Sequence, residues 1–245
     1  MRTLACGAAD FLYPPVCRMC AGELPETELS SATFCETCRR DLLASAGLAC
    51  LRCGASIGPF LDPHVPCGFC RDERFAFERV FRLGIYDDAL RRACLRAKES
   101  AAEPLAVGLA DLLWDREVAA FREARIDVVV PVPHHWLRRF YRSHNAALTL
   151  GTVWARRLQV PLATHILSKC RWTRPQARLT PHERRQNLRN VFQAVPSKGL
   201  SGAVVLLADD VMTTGTTAHE CAKVLVRAGA ARVIVAVVAR GLGRR

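Results

Sequence analysis

Two adjacent carboxylates, Asp209 and Asp210, stand between an apolar run and a threonine-glycine loop in the segment VVLLADDVMTTGTT, residues 204–217. Thr213, Thr214, Thr216 and Thr217 offer hydroxyl donors, and Gly215 can take positive φ or admit a backbone N–H close to an oxygen. An Ala-rich stretch with helical spacing follows (Ala218, Cys221, Ala222, Leu225). The order is therefore strand, acidic pair, phosphate-sized loop, helix. In open α/β sheets ligands gather outside the carboxyl ends of strands, and free N–H groups at a helix N-terminus favour an anion. The neutral donors suit a monophosphate. The carboxylates would repel it and suit sugar hydroxyls or a hard cation such as Mg²⁺. A phosphorylated ribose bound with magnesium satisfies both halves. An Asp-rich turn capping a helix is the plainer alternative for a lone acidic pair, but it does not account for the whole run. The segment is no P-loop, because GK[ST] is missing and Lys223 comes well after the glycine.

A second kind of chemistry lies upstream. Eight of the twelve cysteines form CxxC pairs, Cys17/Cys20, Cys35/Cys38, Cys50/Cys53 and Cys67/Cys70. The first and third pairs are each followed, after a gap of 14 or 13 residues, by the next pair, which is the zinc-ribbon rhythm of two knuckles around one tetrahedral ion. This assigns one zinc to Cys17, Cys20, Cys35 and Cys38 and a second to Cys50, Cys53, Cys67 and Cys70, while spacing alone leaves an interleaved pairing open. So little apolar sequence separates the pairs that metal must drive much of the folding, at roughly 10–16 kcal/mol of apparent binding energy per structural site. Redox use of CxxC fits less well without a thioredoxin-like βαβ unit. His64 reads as a loop residue, and Cys6, Cys94, Cys170 and Cys221 as ordinary buried small residues.

The chain has 245 residues, half of them apolar, and a formal net charge of +12. That length accommodates one or two domains with an ordinary core. No apolar run is long enough to span a membrane. Only five residues precede Cys6, too few for a lipoprotein signal, so the chain is expected to be cytoplasmic. The charge is localised: between Arg138 and Arg189 twelve Lys/Arg face a single acid, Glu183. Such a segment suits a polyanion, either pyrophosphate or a nucleic-acid backbone. Trp136, Phe140, Tyr141 and Trp172 are interleaved with its arginines and could stack on bases of single-stranded DNA, although packing onto the sheet explains each ring as well.

The positioning elements follow from periodicity. Residues 75–86 predict a strand or hairpin. A helix is expected over 87–98, with Leu90, Cys94 and Leu95 on one face, and a longer one over 105–122. Residues 127–132 predict a buried strand closed by Pro131 and Pro133, 144–157 a helix, 204–208 and 233–239 buried strands, and 216–228 the helix between them. The polar stretch RWTRPQARLTPHERRQNLRN reads as a loop running into a short helix, of the kind that closes over a reacting centre. Alternating strand and helix implies a parallel α/β sheet. The expected division is a double zinc ribbon over 6–74 and an α/β domain over 75–245.

DDVMTTGTT resembles the phosphoribosyl-pyrophosphate (PRPP) motif of type I phosphoribosyltransferases. The ordered set of double ribbon, PVP at 131–133, an Arg/Asn cluster, Q-x-x-L-x-x-x-x-R-x-x-N and DDVxTTGxT resembles the ComF family, over nearly the whole chain. These are phosphoribosyltransferase-like proteins linked to bacterial DNA uptake. The resemblance implies a parallel-sheet type I phosphoribosyltransferase-like domain behind the ribbons, with PRPP, Mg²⁺, single-stranded DNA and competence-machinery proteins as partners. By matching position, it gives Asp209 and Asp210 to the ribose hydroxyls and Thr213 to Thr217, Gly215 included, to the 5-phosphate. Arg138, Arg142 and Asn145 fall near the pyrophosphate, while Gln176, Leu179, Arg184 and Asn187 match the family's loop and helix. Two departures stand out. Arg142-Ser143-His144-Asn145 replaces the usual Arg-Gly-Phe-Asn, and Lys98-Glu99-Ser100 lacks the glycine that usually follows, which leaves Lys98 outside the expected site. The resemblance leaves two functions open: transfer to an unknown acceptor, with His134, His135 and His182 as bases by location only, or non-catalytic PRPP sensing and DNA handling.

Overall fold

The computed structural model describes residues 15–24, 33–99, 102–133, 145–171, 181–188 and 190–242, with the side chains at 181, 182, 184 and 185 left aside. Its first half runs α1 (Glu36–Leu43), β1 (Arg79–Ile85), α2 (Asp88–Arg96), α3 (Glu103–Glu123) and β2 (Val128–Pro131). The second half runs α4 (Ala146–Leu158), β3 (Leu167–Lys169), α5 (Pro181–Leu188), β4 (Phe192–Ala194), β5 (Val204–Met212), α6 (Thr216–Arg227) and β6 (Arg232–Arg240). Four strands make one sheet in the order β1-β6-β5-β2, every neighbouring pair parallel. This is the expected α/β architecture. Its central strands carry apolar runs, residues 128–131, 204–208 and 233–239, because both faces are covered.

Period-two alternation sorts each strand between two cores. Val129, Leu206, Ala208, Ile234 and Ala236 pack with α2, α3 and α4; Val128, Val130, Val205, Leu207, Val235 and Val237 pack with α6 and a small β3–β4 hairpin. The first core is anchored by rings, with Phe121 4.4 Å from Phe81 and 6.2 Å from Trp154 between centroids. Trp154 satisfies its indole N–H on the Ala110 carbonyl at 3.1 Å. On α2 the buried stripe is Leu90, Ala93, Cys94 and Ala97, whereas Leu95 is 46% exposed. The helical turn carries Leu95 past the core edge, correcting its expected place.

Two features had no local signal. The antiparallel β3–β4 hairpin joins three-residue strands across more than twenty residues, and α1 starts directly behind Cys35. The hairpin also corrects one cysteine. Cys94 and Cys221 are buried as expected, but Cys170 is exposed, because it shares the outward side of β3 with Ser168, 3.6 Å away. Cys6 lies outside the described residues.

The ribbons dock differently. The first contributes Cys17, Leu24, Phe34 and Leu42 to the large core beside α3. Gly108 makes that contact possible, since a Cβ there would stand 2.3 Å from Thr33 Cγ2 and 2.8 Å from Phe34 Cε2. The second buries only Cys50, Cys53, Ala55 and Cys70 among themselves. It is tied to the sheet by polar contacts, with Val80 N–H donating to the Leu51 carbonyl at 2.8 Å and the buried Arg82 guanidinium donating to Ser45 O and Ser56 Oγ. No described helix is long and apolar enough to cross a membrane.

Candidate functional site

β5 runs four residues further than its apolar stretch predicts, because β6 continues beside it and pairs Asp209 with Val237 and Met212 with Arg240. The acidic pair therefore sits inside the strand end, and alternation sends its members to opposite faces. Asp209 borders the α6 side together with Val235 and Val237. Asp210 turns toward the end of α2, where Lys98 Nζ lies 2.7 Å from its Oδ2, although off the angle of a good hydrogen bond. Each carboxylate also accepts from the next backbone N–H, Asp210 N to Asp209 Oδ1 at 2.9 Å and Val211 N to Asp210 Oδ1 at 2.8 Å. Burial, and then the neighbouring Asp210 charge, push the Asp209 carboxyl well above the usual carboxylate range. Such a perturbed acid marks a place where a cation or hydroxyl donor would relieve the site.

Beyond the strand, residues 213–217 line a small, partly open pocket that also includes Asp209 and the first turn of α6. Gly215 holds φ +77°, which favours glycine, and a Cβ there would lie a tight 3.2 Å from the Phe75 ring. Thr214 Oγ1 and Thr216 Oγ1 are 2.8 Å apart. The N-cap of α6 is Gly215, which has no side chain to offer; Thr214 Oγ1 accepts from the Thr216 N–H at a long 3.5 Å, and the first turn as a whole points its N–H groups toward the loop, where an anion could be held.

Lys98, which the sequence places outside the expected site, is thus the cation nearest the acidic pair among the described residues. Burial works against its charge, but Asp210 and then Asp209 hold its pKa above the ordinary lysine value. Replacing Lys98 with methionine should lower the melting temperature by stranding Asp210. The cost is expected to fall between the ~1 kcal/mol of an exposed pair and the ~3–5 kcal/mol of a buried one, since the two side chains are 30% and 14% exposed. The same variant should bind Mg²⁺ alone more tightly, because the metal no longer competes with an ammonium. Unchanged melting and unchanged Mg²⁺ titration would remove Lys98 from the site.

Asn145 occupies the N-cap position of α4, and its Oδ1 is buried without a donor among the described residues, as a ligand-facing amide would be. Val132 N–H donates to the Ala208 carbonyl at 2.8 Å, which joins the 131–133 turn to the same end of the sheet. Arg138, Arg142 and Gln176 lie outside the described residues, with His134, His135, Trp136, Phe140, Tyr141, Trp172 and Leu179. Arg184 and His182 are carried on α5, but their side chains are also outside. Asn187 is on α5, which packs against α6.

The eight cysteines assemble as two clusters, Cys17, Cys20, Cys35, Cys38 and Cys50, Cys53, Cys67, Cys70, the Sγ atoms of each within 4.8 Å of one another. This selects the sequential pairing over the interleaved one. The Cys50–Cys70 and Cys53–Cys67 sulfur distances, 3.8 and 3.6 Å, match the edge of a tetrahedron with ~2.3 Å zinc–sulfur bonds. The donor set fits zinc. Burial alone would raise the Cys17 thiol, but N–H donors from Cys35, Cys20 and Met19 bring it to about 6. His64 is exposed and outside both clusters.

Residues that the sequence did not single out are Arg240 and Phe75, which reach the loop from outside it, and His219, on α6, which accepts from the Ala76 N–H. An arginine ending a wholly apolar strand was the one available signal.

Comparison with known proteins bears on this geometry. A family model described as a phosphoribosyl transferase domain matches residues 144–245. The DNA utilization protein YhgH of Salmonella typhi is 31% identical over 234 residues, covering 91% of this chain and 95% of that one. Competence protein F of Haemophilus influenzae is 28% identical, over 89% and 94%. The crystal structure of TT1426 from Thermus thermophilus shares 18% identity over 54% of this chain and 72% of that one, at a TM-score of 0.34, a likeness too slight to build on.

Proposed function

Since this chain belongs to the ComF family, which takes in competence protein F and YhgH, we propose that it binds PRPP with Mg²⁺ at the β5–α6 site and acts as a phosphoribosyltransferase linked to DNA uptake. The observation that carries the reading is the loop at 213–217, which offers hydroxyls and helix N–H groups to a phosphate while Asp209 stands at the same pocket for the ribose. On this reading Thr213, Thr214, Gly215, Thr216 and Thr217 hold the 5-phosphate, Asp209 and Asp210 take the ribose hydroxyls or the metal, and Asn145, Arg138 and Arg142 approach the pyrophosphate. Gln176 and Arg184 belong to the covering segment. Magnesium, when bound, neutralises pyrophosphate as it leaves. The chain itself orients the sugar and stabilises developing charge through fixed donors; no side chain need become covalent. Residues 6–74 form the zinc-binding module and 75–245 the transferase-like domain. Eight metal-binding thiolates call for a reducing compartment, which supports a cytoplasmic location.

The experiment is calorimetry with PRPP and Mg²⁺, followed by pyrophosphate release in the presence of a nucleobase panel. Binding with release supports transfer. Binding without release for any acceptor favours a PRPP sensor that handles single-stranded DNA, in which case DNA affinity should fall steeply with salt through the basic segment. Absence of PRPP binding sinks both.

A further inference from the structure

Among the described residues two arginines are almost wholly buried, Arg82 and Arg240, at 4% and 5% exposure. Arg240 ends β6, where an apolar side chain would continue the strand's pattern. Its Nε donates to the Cys53 carbonyl at 2.7 Å. Its Nη1 donates to the Met212 carbonyl at 3.3 Å and also to the carbonyls of Thr213 and Gly241. One guanidinium thereby ties a metal-binding knuckle to the first peptides of the phosphate loop. Because trans peptides set C=O and N–H in opposite directions, carbonyls held by Arg240 at Met212 and Thr213 turn the N–H groups of Thr213 and Thr214 away from it.

A second contact runs alongside. Phe75, leaving the last knuckle, floors Gly215 and stacks on Phe77 with centroids 4.6 Å apart. Arg52, within the Cys50–Cys53 knuckle, lies over the Phe75 ring at 6.0 Å and donates to the Cys70 and Glu73 carbonyls. Ala76 N–H donates to His219 Nδ1 on α6 at 3.0 Å. The second ribbon therefore touches the loop from below, while its own buried set is too small to hold shape without metal.

We propose that Arg240 is a positioning residue that relays the metal-held geometry of the Cys50–Cys53 knuckle to the phosphate loop, so that an anion binds well only when the second ribbon is closed. The anion half rests on the phosphate-loop reading above; the relay itself does not. With metal bound, the Cys53 carbonyl is a fixed acceptor. Without it, Arg240 loses that anchor and the loop carbonyls lose a common donor.

Hydrogen exchange on the full, zinc-loaded chain without ligand tests the relay directly. Arg240→Met should speed exchange of the amides at 213–217 by tenfold or more while zinc content is retained. Zinc chelation of the wild type should speed the same amides, yet add clearly less than its full effect in Arg240→Met, because both remove the Arg240–Cys53 contact and chelation adds only the loosening of Phe75. Arg240→Lys, keeping the charge but not the fork, should fall between. Calorimetry with inorganic phosphate should show about tenfold weaker binding in Arg240→Met and in the chelated wild type. Loop exchange unchanged in both variants overturns the relay. So does equal acceleration of the β5 core amides at 205–207, which would report general unfolding, or full additivity of chelation and substitution. A loop that responds as expected in a protein that never binds phosphate supports the relay and overturns only the phosphate reading.

Discussion

Replacing Asp209 with asparagine should stabilise the ligand-free protein and weaken PRPP binding with Mg²⁺ by roughly 10- to 100-fold, the scale of a lost hydrogen bond to a charged group. The two effects share one cause. Folding brings Asp209 into a half-buried place beside Asp210, and both desolvation and the neighbouring charge oppose its ionisation. Its pKa is therefore higher in the fold than in the unfolded chain. As pH rises through the ordinary carboxylate range near 4, the unfolded chain sheds this proton while the fold keeps it, so stability falls with rising pH until the folded group also ionises. The loss is complete once pH exceeds the pKa of the folded group. Asparagine keeps the shape and carries no charge, so the variant's melting curve should lack this decline, with a gain of about 2–4 °C per kcal/mol recovered in a chain of this size. A site that is unstable when empty and satisfied by a cation or hydroxyls is what a binding site costs its fold. Differential scanning calorimetry across pH, paired with PRPP titration, reads both arms. A destabilised variant, or one with intact affinity, would show that Asp209 is a structural cap.

Loss of metal should act more strongly on the second ribbon than on the first. The first shares Phe34 and Leu42 with the core at α3, so Cys20→Ser leaves apolar burial to hold it. The second has three cysteines and Ala55 as its buried set, so Cys53→Ser removes most of what folds it. Structural zinc contributes apparent binding energies of about 10–16 kcal/mol, more than a typical domain's whole stability of ~5–15 kcal/mol. Elemental analysis should find two zinc ions per wild-type chain and one in either variant. Limited proteolysis should then cut 48–74 rapidly in Cys53→Ser while Cys20→Ser resists across the same span. A metal-free wild type with unchanged melting and protease resistance would refute a structural role for the clusters.

Much of the α/β domain was legible because local chemistry and global position agree there. Runs such as Val204–Ala208 and Val233–Ala239 are apolar on both faces, which only a covered parallel strand tolerates. The loop from Thr213 to Thr217 announced itself through residue types that suit one kind of ligand. Legibility failed where partners are distant in sequence. β3 and β4 are three residues each and pair only with one another, across a separation no local pattern marks. Lys98 looked out of place by its neighbours in the chain, yet α2 delivers it to Asp210, more than a hundred residues on. Arg240 meets Cys53 across 187 residues, and no spacing rule spans that interval.

By itself, then, the sequence determined the class of fold, the thiolate chemistry of the eight paired cysteines and the phosphate-and-carboxylate character of DDVMTTGTT. Each is a property of residue types at short range, where backbone geometry dictates what faces what. Only the tertiary structure decided that the cysteines group sequentially, that Asp209 and Asp210 part to opposite faces, and that the second ribbon reaches the phosphate loop through Arg240. Those depend on which surfaces meet when the chain closes, and burial and long-range hydrogen bonds, not local propensity, choose among the possible meetings.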